Sequence, residues 1–148
     1  MHRLERTQVV ARPRSEVFAF FSDATNLERI TPPSLGFSIL TPAPIEMREG
    51  ARIDYRIKLN GIPMRWTTLI AAYEPGVRFI DVQERGPYKL WHHTHTFRDV
   101  YGGTEIGDLV LYEIGRGALG TLAHAMFVRR QLAHIFDYRS KVMKELFG

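Results

Sequence analysis

Cysteine is absent from the 148 residues. That excludes a disulfide framework, thiol catalysis and thiolate metal sites. Long apolar runs are absent as well. The densest aromatic and aliphatic stretch, Val17-Phe18-Ala19-Phe20-Phe21, is far short of the roughly 20 residues that span a bilayer. The opening Met1-His2-Arg3-Leu4-Glu5-Arg6 lacks the apolar segment of a signal peptide. No low-complexity tract and no repeat of solenoid period occurs. Charge bias is slight, with 20 basic residues against 16 acidic ones. The basic residues are scattered, with Arg3, Arg6, Arg12 and Arg14 near the start and Arg129, Arg130, Arg139, Lys141 and Lys144 near the end. A nucleic-acid binder concentrates its charge on a face with stacking aromatics, so that class of partner is not expected. What is present is an ordinary globular balance, 45% hydrophobic and 24% charged, which argues against disorder. The expectation is a single domain over residues 1–148, cytoplasmic, monomeric or homodimeric, with no integral membrane association.

The patterning changes along the chain. Leu4, Thr7, Val9 and Val10 suit a first strand over 3–11. Pro13 can open a helix, where its missing N–H costs nothing. Val17, Phe20, Phe21, Ala24 and Leu27 recur at helical spacing and predict two short helices, about 14–22 and 24–30, before Pro32-Pro33. The period then becomes two. Phe37, Ile39 and Thr41 predict a strand broken by Pro42 and Pro44. Ile53, Tyr55, Ile57 and Leu59 alternate with polar residues, and Asn60-Gly61 is a strong hairpin signal. That turn pairs Leu59 with Ile62, Ile57 with Met64, Tyr55 with Trp66 and Ile53 with Thr68, all on one apolar face. Further strands follow at 77–84, 88–99 and 104–114, separated by Glu74-Pro75-Gly76, Gly86-Pro87 and Tyr101-Gly102-Gly103. Gly115-Arg116-Gly117-Ala118-Leu119-Gly120 reads as a loop, and Thr121 can cap the helix after it. Val128, Leu132, Ile135, Val142 and Leu146, widened by Phe136, Met143 and Phe147, make an amphipathic helix of about 25 residues. The fold class is therefore α+β, a helix-grip: a curled antiparallel sheet of about seven strands around a long C-terminal helix, with two short helices after the first strand. A meander this long must curl to bury one face, and a helix clasped in it leaves an internal cavity.

This order resembles the START/SRPBCC superfamily, which includes polyketide cyclases and the birch-pollen-allergen fold. Three segments carry the resemblance: Val17–Asp23 through Ile30-Thr31-Pro32-Pro33; Gly86-Pro87-Tyr88-Lys89-Leu90-Trp91-His92-His93-Thr94-His95-Thr96-Phe97; and Leu122-Ala123-His124 through Ile135-Phe136-Asp137-Tyr138-Arg139. It implies a hydrophobic pocket for a lipid-like or aromatic small molecule. It implies no single reaction, because the superfamily mixes carriers, sensors and enzymes.

Trp91, His93, His95 and Phe97 share one strand face. A two-residue turn after that strand places Asp108, Val110 and Tyr112 beside them. On the concave face, two imidazoles, a carboxylate and a phenol would sit in an apolar cavity and partner one another. Four roles stay open for that group. It can be a polar cluster that fixes sheet register, or it can orient a ligand. It can also do acid–base work through a histidine paired with Asp108, or imitate a two-histidine, one-carboxylate metal triad. The expected ligand-binding set is Tyr55, Met64, Trp66, Trp91, His93, His95, Asp108, Tyr112, Ile135 and Phe136. An enzyme of cyclase, dehydrase or hydrolase type would use His93, His95 and Asp108. No metal or cofactor is expected. The Gly115–Gly120 loop spells G-x-G-x-x-G, but the dinucleotide fingerprint needs a second parallel strand with an acidic residue after the helix. None follows, so the glycines read as a connector at the lip of the pocket. Arg129-Arg130 reads as a solvated face, and His124 and His134 as surface or cap residues.

Overall fold

The computed structural model describes residues 1–59, 61–115 and 121–148. Its elements are β1 (His2–Val10), α1 (Arg14–Ser22), two 3-10 turns (Ala24–Glu28 and Pro33–Leu35), β2 (Ser38–Ile39), β3 (Arg52–Leu59), β4 (Ile62–Glu74), β5 (Arg78–Arg85), β6 (Tyr88–Val100), β7 (Gly103–Ile114) and α2 (Thr121–Phe147). The strands form one antiparallel sheet in the order β1-β7-β6-β5-β4-β3-β2. Period-two sequence gives hairpins between sequence neighbours, and only β1 pairs across a long separation, with β7. The β3–β4 register is the one the turn chemistry dictates, with Leu59, Ile57, Tyr55 and Ile53 opposite Ile62, Met64, Trp66 and Thr68. Asn60 lies outside the described residues.

Two sequence expectations need correction. The segment after α1 is not a second α-helix but a 3-10 turn of five residues. The Asp23 carboxylate accepts from the Thr25 N–H and hydroxyl, and the Asn26 amide reaches back to the Phe20 carbonyl. Side chains that bond nearby backbone in this way compete with the helical ladder. β2 keeps only two residues: the Leu40 and Thr41 N–H groups both donate to the Asp54 carbonyl and the Thr41 hydroxyl accepts the Asp54 N–H, so the regular ladder ends there.

α2 lies on the concave face, tied to β1 at its outer side. Arg6 pairs with Asp137 at 2.6 Å, and the Gln8 amide donates to the Ser140 carbonyl at 2.7 Å. Its buried stripe is Val128, Leu132, Phe136, Arg139 and Met143. The core divides in two. One cluster gathers Val10, Val17, Phe18, Phe21, Ile70, Phe79, Phe97, Ile106 and Met143. The other gathers Ile57, Trp66, Trp91, Val110, Tyr112, Val128, Leu132 and Phe136. Among the described residues no helix is long and apolar enough to cross a membrane. Apart from Gly115, the glycine-rich connector lies outside the described residues, and nothing is described of the Thr121 side chain that was expected to cap α2.

Candidate functional site: a polar belt beside an apolar cavity

Between the two core clusters runs a belt of buried polar side chains, one stretch from each neighbouring element. On β6, His93 and His95 separate Trp91 from Phe97; on β7, Asp108 separates Val110 from Ile106. On α2, Arg139 separates Phe136 from Met143, and on β5, Asp81 follows Phe79 by two residues on the same face. The register aligns them: Asp81 opposite His93, and His95 opposite Asp108. The β6–β7 turn is the two-residue Tyr101-Gly102, between the paired Val100 and Gly103.

The hydrogen bonds assign the protons. His93 Nε2 lies 2.8 Å from Asp108 Oδ1 and donates to it. His95 Nε2 donates to Asp81 Oδ2, and the Trp91 indole N–H donates to Asp81 Oδ1 at 3.2 Å. Arg139 Nη2 reaches His95 Nδ1 at 3.4 Å and stands 3.6 Å from Asp108. A guanidinium only donates, so His95 Nδ1 is the acceptor and Nε2 carries the hydrogen. The rings of Phe79, His95 and His93 stack in sequence, with centroid separations of 4.1 and 3.6 Å. The Arg139 guanidinium sits over Phe21 at 4.8 Å and Phe136 at 5.6 Å.

Burial and charge then fix ionisation. Burial pushes the His95 pKa down, the His93 ring adds to this, and the bond to Asp81 only partly opposes them. The result is about 4 against an ordinary 6.5. Burial alone would raise the pKa of Asp81; His93, His95 and the Trp91 N–H together outweigh it and hold the carboxyl below its usual range. For Asp108 burial is again the largest influence. Arg139, then His93 and His95, overcome it and hold the group ionised well below the usual carboxylate range.

A cavity of about 170 Å³ opens beside the belt and is lined from both core clusters, Phe21, Ile70 and Phe79 on one side and the larger wall on the other. Its apolar wall includes Phe37, Ile53, Tyr55, Ile57, Trp66, Tyr88, Trp91, Leu132, Ile135 and Phe136. Asp81, His93, His95 and Arg139 face it from the belt, and Leu27, Thr31 and Leu35 of the 3-10 region border it. The Tyr55 and Thr68 hydroxyls on this wall bond each other at 3.2 Å. Burial pushes the Tyr55 phenol upward, so it stays protonated at neutral pH. Trp66 is 6% exposed, and its indole N–H is, among the described residues, the one buried side-chain polar atom without a partner. The rings of Tyr55, Tyr88 and Trp91 surround it.

Of the residues expected from sequence to bind ligand, Tyr55, Trp66, Trp91, His93, His95, Ile135 and Phe136 line this cavity. Met64, Asp108 and Tyr112 are not among its lining residues. Met64 packs beside Ile57 in the second core cluster. Asp108 backs His93, and Tyr112 is occupied by His2 and Tyr88, with ring centroids at 5.1 and 5.9 Å. Arg129 and Arg130 are exposed, as is His134; His124 is half-buried.

Sequence reasoning missed Asp81 and Arg139. Arg139 had a signal, since it falls on the same helical stripe as Leu132, Phe136 and Met143. Asp81 had almost none. Ile80 and Val82 flank it and look like the inward pair, yet Phe79 and Asp81 point inward. Asp81, His93 and His95 bring one ligand atom each within 4.8 Å of one another. Those are donors a divalent ion accepts. Arg139, however, sets a cation beside them and fixes a proton on His95 Nε2, the nitrogen that faces Asp81. The trio is a hydrogen-bonded cluster in this protonation state.

No protein-family model and no curated protein matches the chain in sequence. Solved structures do match in fold. The Zhui aromatase/cyclase from a Streptomyces species is 14% identical at a TM-score of 0.77, over 97% of this chain and 92% of that one. A protein from Chromobacterium violaceum is 15% identical at 0.74, over 99% and 98%. A START superfamily protein from Mycobacterium smegmatis is 12% identical at 0.72, over 99% of both chains. The chain has the helix-grip fold of the START/SRPBCC superfamily.

Proposed function

We propose that this START/SRPBCC-fold chain is a single-domain carrier or sensor that holds an apolar or aromatic small molecule in its cavity. We infer a cytoplasmic monomer or homodimer that works without metal or cofactor. One observation carries the reading: a cavity of about 170 Å³ with aromatic and aliphatic walls and a few convergent polar groups. Ligand sites have that composition, apolar area for affinity and sparse polar groups for orientation. The fold supports the reading at the level of class only.

Both tryptophans of the chain, Trp66 and Trp91, stand on the cavity wall. Uptake of the neutral dye N-phenyl-1-naphthylamine should therefore quench nearly all intrinsic tryptophan emission while the dye brightens. Folded protein that leaves the dye dark and its own emission unchanged would sink the proposal.

A second reading is an acid–base enzyme of cyclase, dehydrase or hydrolase type using His93, His95 and Asp108. The 2.8 Å pair of His93 and Asp108 at the cavity favours it, because a carboxylate-oriented imidazole is a competent proton carrier. A poly-β-ketone that closes by intramolecular aldol condensation distinguishes the two. Turnover abolished by His93→Gln supports the enzyme, and binding without turnover supports the carrier.

A further inference from the structure

The β3–β4 wall of the cavity holds more hydrogens than acceptors. Tyr55 on β3 and Thr68 on β4 both line it, and their hydroxyls lie 3.2 Å apart. Each hydroxyl carries one hydrogen, and their mutual bond uses one of the two. Among the described residues neither oxygen has a further partner. The Asp81 carboxylate oxygens are taken by the Trp91 and His95 N–H groups instead. One O–H hydrogen is therefore left over, in a wall where Thr68 is 5% exposed. Trp66 is the cross-strand partner of Tyr55 and stacks on it at 5.8 Å; its indole N–H is unpartnered as well. A buried donor left unmatched is rarer and costlier than an unused lone pair. Burial keeps the Tyr55 phenol protonated, and neither a threonine hydroxyl nor an indole titrates, so the count holds across the ordinary pH range.

We propose that the cavity selects apolar ligands carrying a neutral hydrogen-bond acceptor, a ketone or other carbonyl oxygen, seated on the hydroxyl pair of Tyr55 and Thr68. This rests on the ligand-binding reading above and specifies the polar group of the ligand. The hydroxyls are uncharged, so they do not offset the desolvation of a carboxylate. Two charged groups on the same cavity are the competitors, Arg139 for an anion and Asp81 for a cation. Arg139 is already committed to Asp108 and His95 and covered by the rings of Phe21 and Phe136. Asp81 is committed to Trp91 and His95.

Four naphthalenes of similar shape test it by displacing N-phenyl-1-naphthylamine at neutral pH: 2-isopropenylnaphthalene, 2-acetylnaphthalene, 2-naphthylmethylammonium and 2-naphthoate. The ketone should bind roughly fivefold or more tightly than the alkene of the same outline, as a net gain of one hydrogen bond allows. Both ions should bind more weakly than the ketone. Isotope-edited infrared spectra of the bound ketone should place its C=O stretch at lower wavenumber than in hexane, the mark of a donor on the oxygen. The double variant Tyr55→Phe, Thr68→Val lacks both hydroxyls. Its own ketone-to-alkene affinity ratio should fall towards unity, whatever the substitutions do to binding as a whole. The ratio and the stretch in the unaltered protein decide the proposal even where that variant does not fold. Equal affinities for ketone and alkene, or a stretch at its hexane position, would overturn it and leave the apolar pocket intact. A ratio that survives the loss of both hydroxyls would overturn the seat. A tightest-binding ammonium would overturn it in favour of Asp81, and a tightest-binding naphthoate in favour of Arg139. If neither the dye nor any probe binds, the ligand-binding reading itself fails.

Discussion

Two carboxylates make the belt possible, and each can be removed with a distinct outcome. Asp108→Ala leaves both the His93 N–H and the Arg139 guanidinium without their anion in the core. Breaking a buried ion pair from one side costs roughly 3–5 kcal/mol. A fall of that size in the urea unfolding free energy is expected, and Asp108→Asn, which keeps an acceptor for His93, should lose less. A loss under about 1 kcal/mol for the alanine variant would show that water solvates the site after truncation. His95 sets the acid response. Its native pKa is about 4 and its ordinary value 6.5. Between those values the unfolded chain takes up a proton that the native state refuses. Stability therefore falls as the pH is lowered through that window, by at most about 1.4 kcal/mol per pH unit for one proton. Asp81 and Asp108, both depressed, extend the loss below the ordinary carboxylate range. Urea titrations near pH 7, 5.5 and 4.5 should show the decline in the native protein and a shallower one in His95→Gln. Parallel slopes would assign the response to other groups.

Elements were legible where local chemistry and tertiary demand agree. The alternation around Asn60-Gly61 dictates one register, and every pair it dictates is present. The stripe from Val128 to Met143 could only be a helix on an apolar face, and α2 is that helix. Legibility failed where a polar residue faces inward on long-range authority. Nothing in Arg78–Arg85 itself says that Asp81 points to the concave side; the pairing with His93 across the hairpin decides that. Asp23 and Asn26 likewise spoil a helical period through side-chain bonds that spacing does not reveal. Glycine positions offer a test at this scale. Gly103 opens β7 with a φ of +155°, and a Cβ there would lie 1.9 Å from the Val10 carbonyl oxygen at the end of β1. Backbone must move to admit it. Gly107 would meet only the Thr96 hydroxyl, at 2.2 Å, which can rotate away. Gly103→Ala should therefore destabilise by about 2 kcal/mol or more, and Gly107→Ala by about 1 kcal/mol or less. Equal losses would mean that the β1–β7 junction yields more readily than its geometry implies.

The whole molecule reads as two apolar halves joined by a charged seam, with the cavity opening on that seam. Because a ligand there touches β3, β4, β5, β6 and α2 together, occupancy should raise the global melting temperature rather than stiffen one region. A probe at a hundredfold excess over its Kd adds about 2.7 kcal/mol, and calorimetry should show one transition moving upward. A second, unmoved transition would mean that the halves unfold separately. The sheet's closure by β1 has a kinetic side. Strands β3 to β7 find their partners a turn away, whereas each residue of β1 waits for one roughly a hundred positions downstream. Local pairings form early and distant ones late, since loop closure must precede their reward. A nascent chain thus holds an unpaired β1 and a growing meander whose newest strand is a bare edge, an invitation to intermolecular strand addition until β7 emerges and takes β1. The helix that roofs the cavity follows every strand in chain order. Ligand competence therefore waits for α2, after every strand has been made, and truncation before residue 121 should yield an aggregation-prone sheet with no site at all.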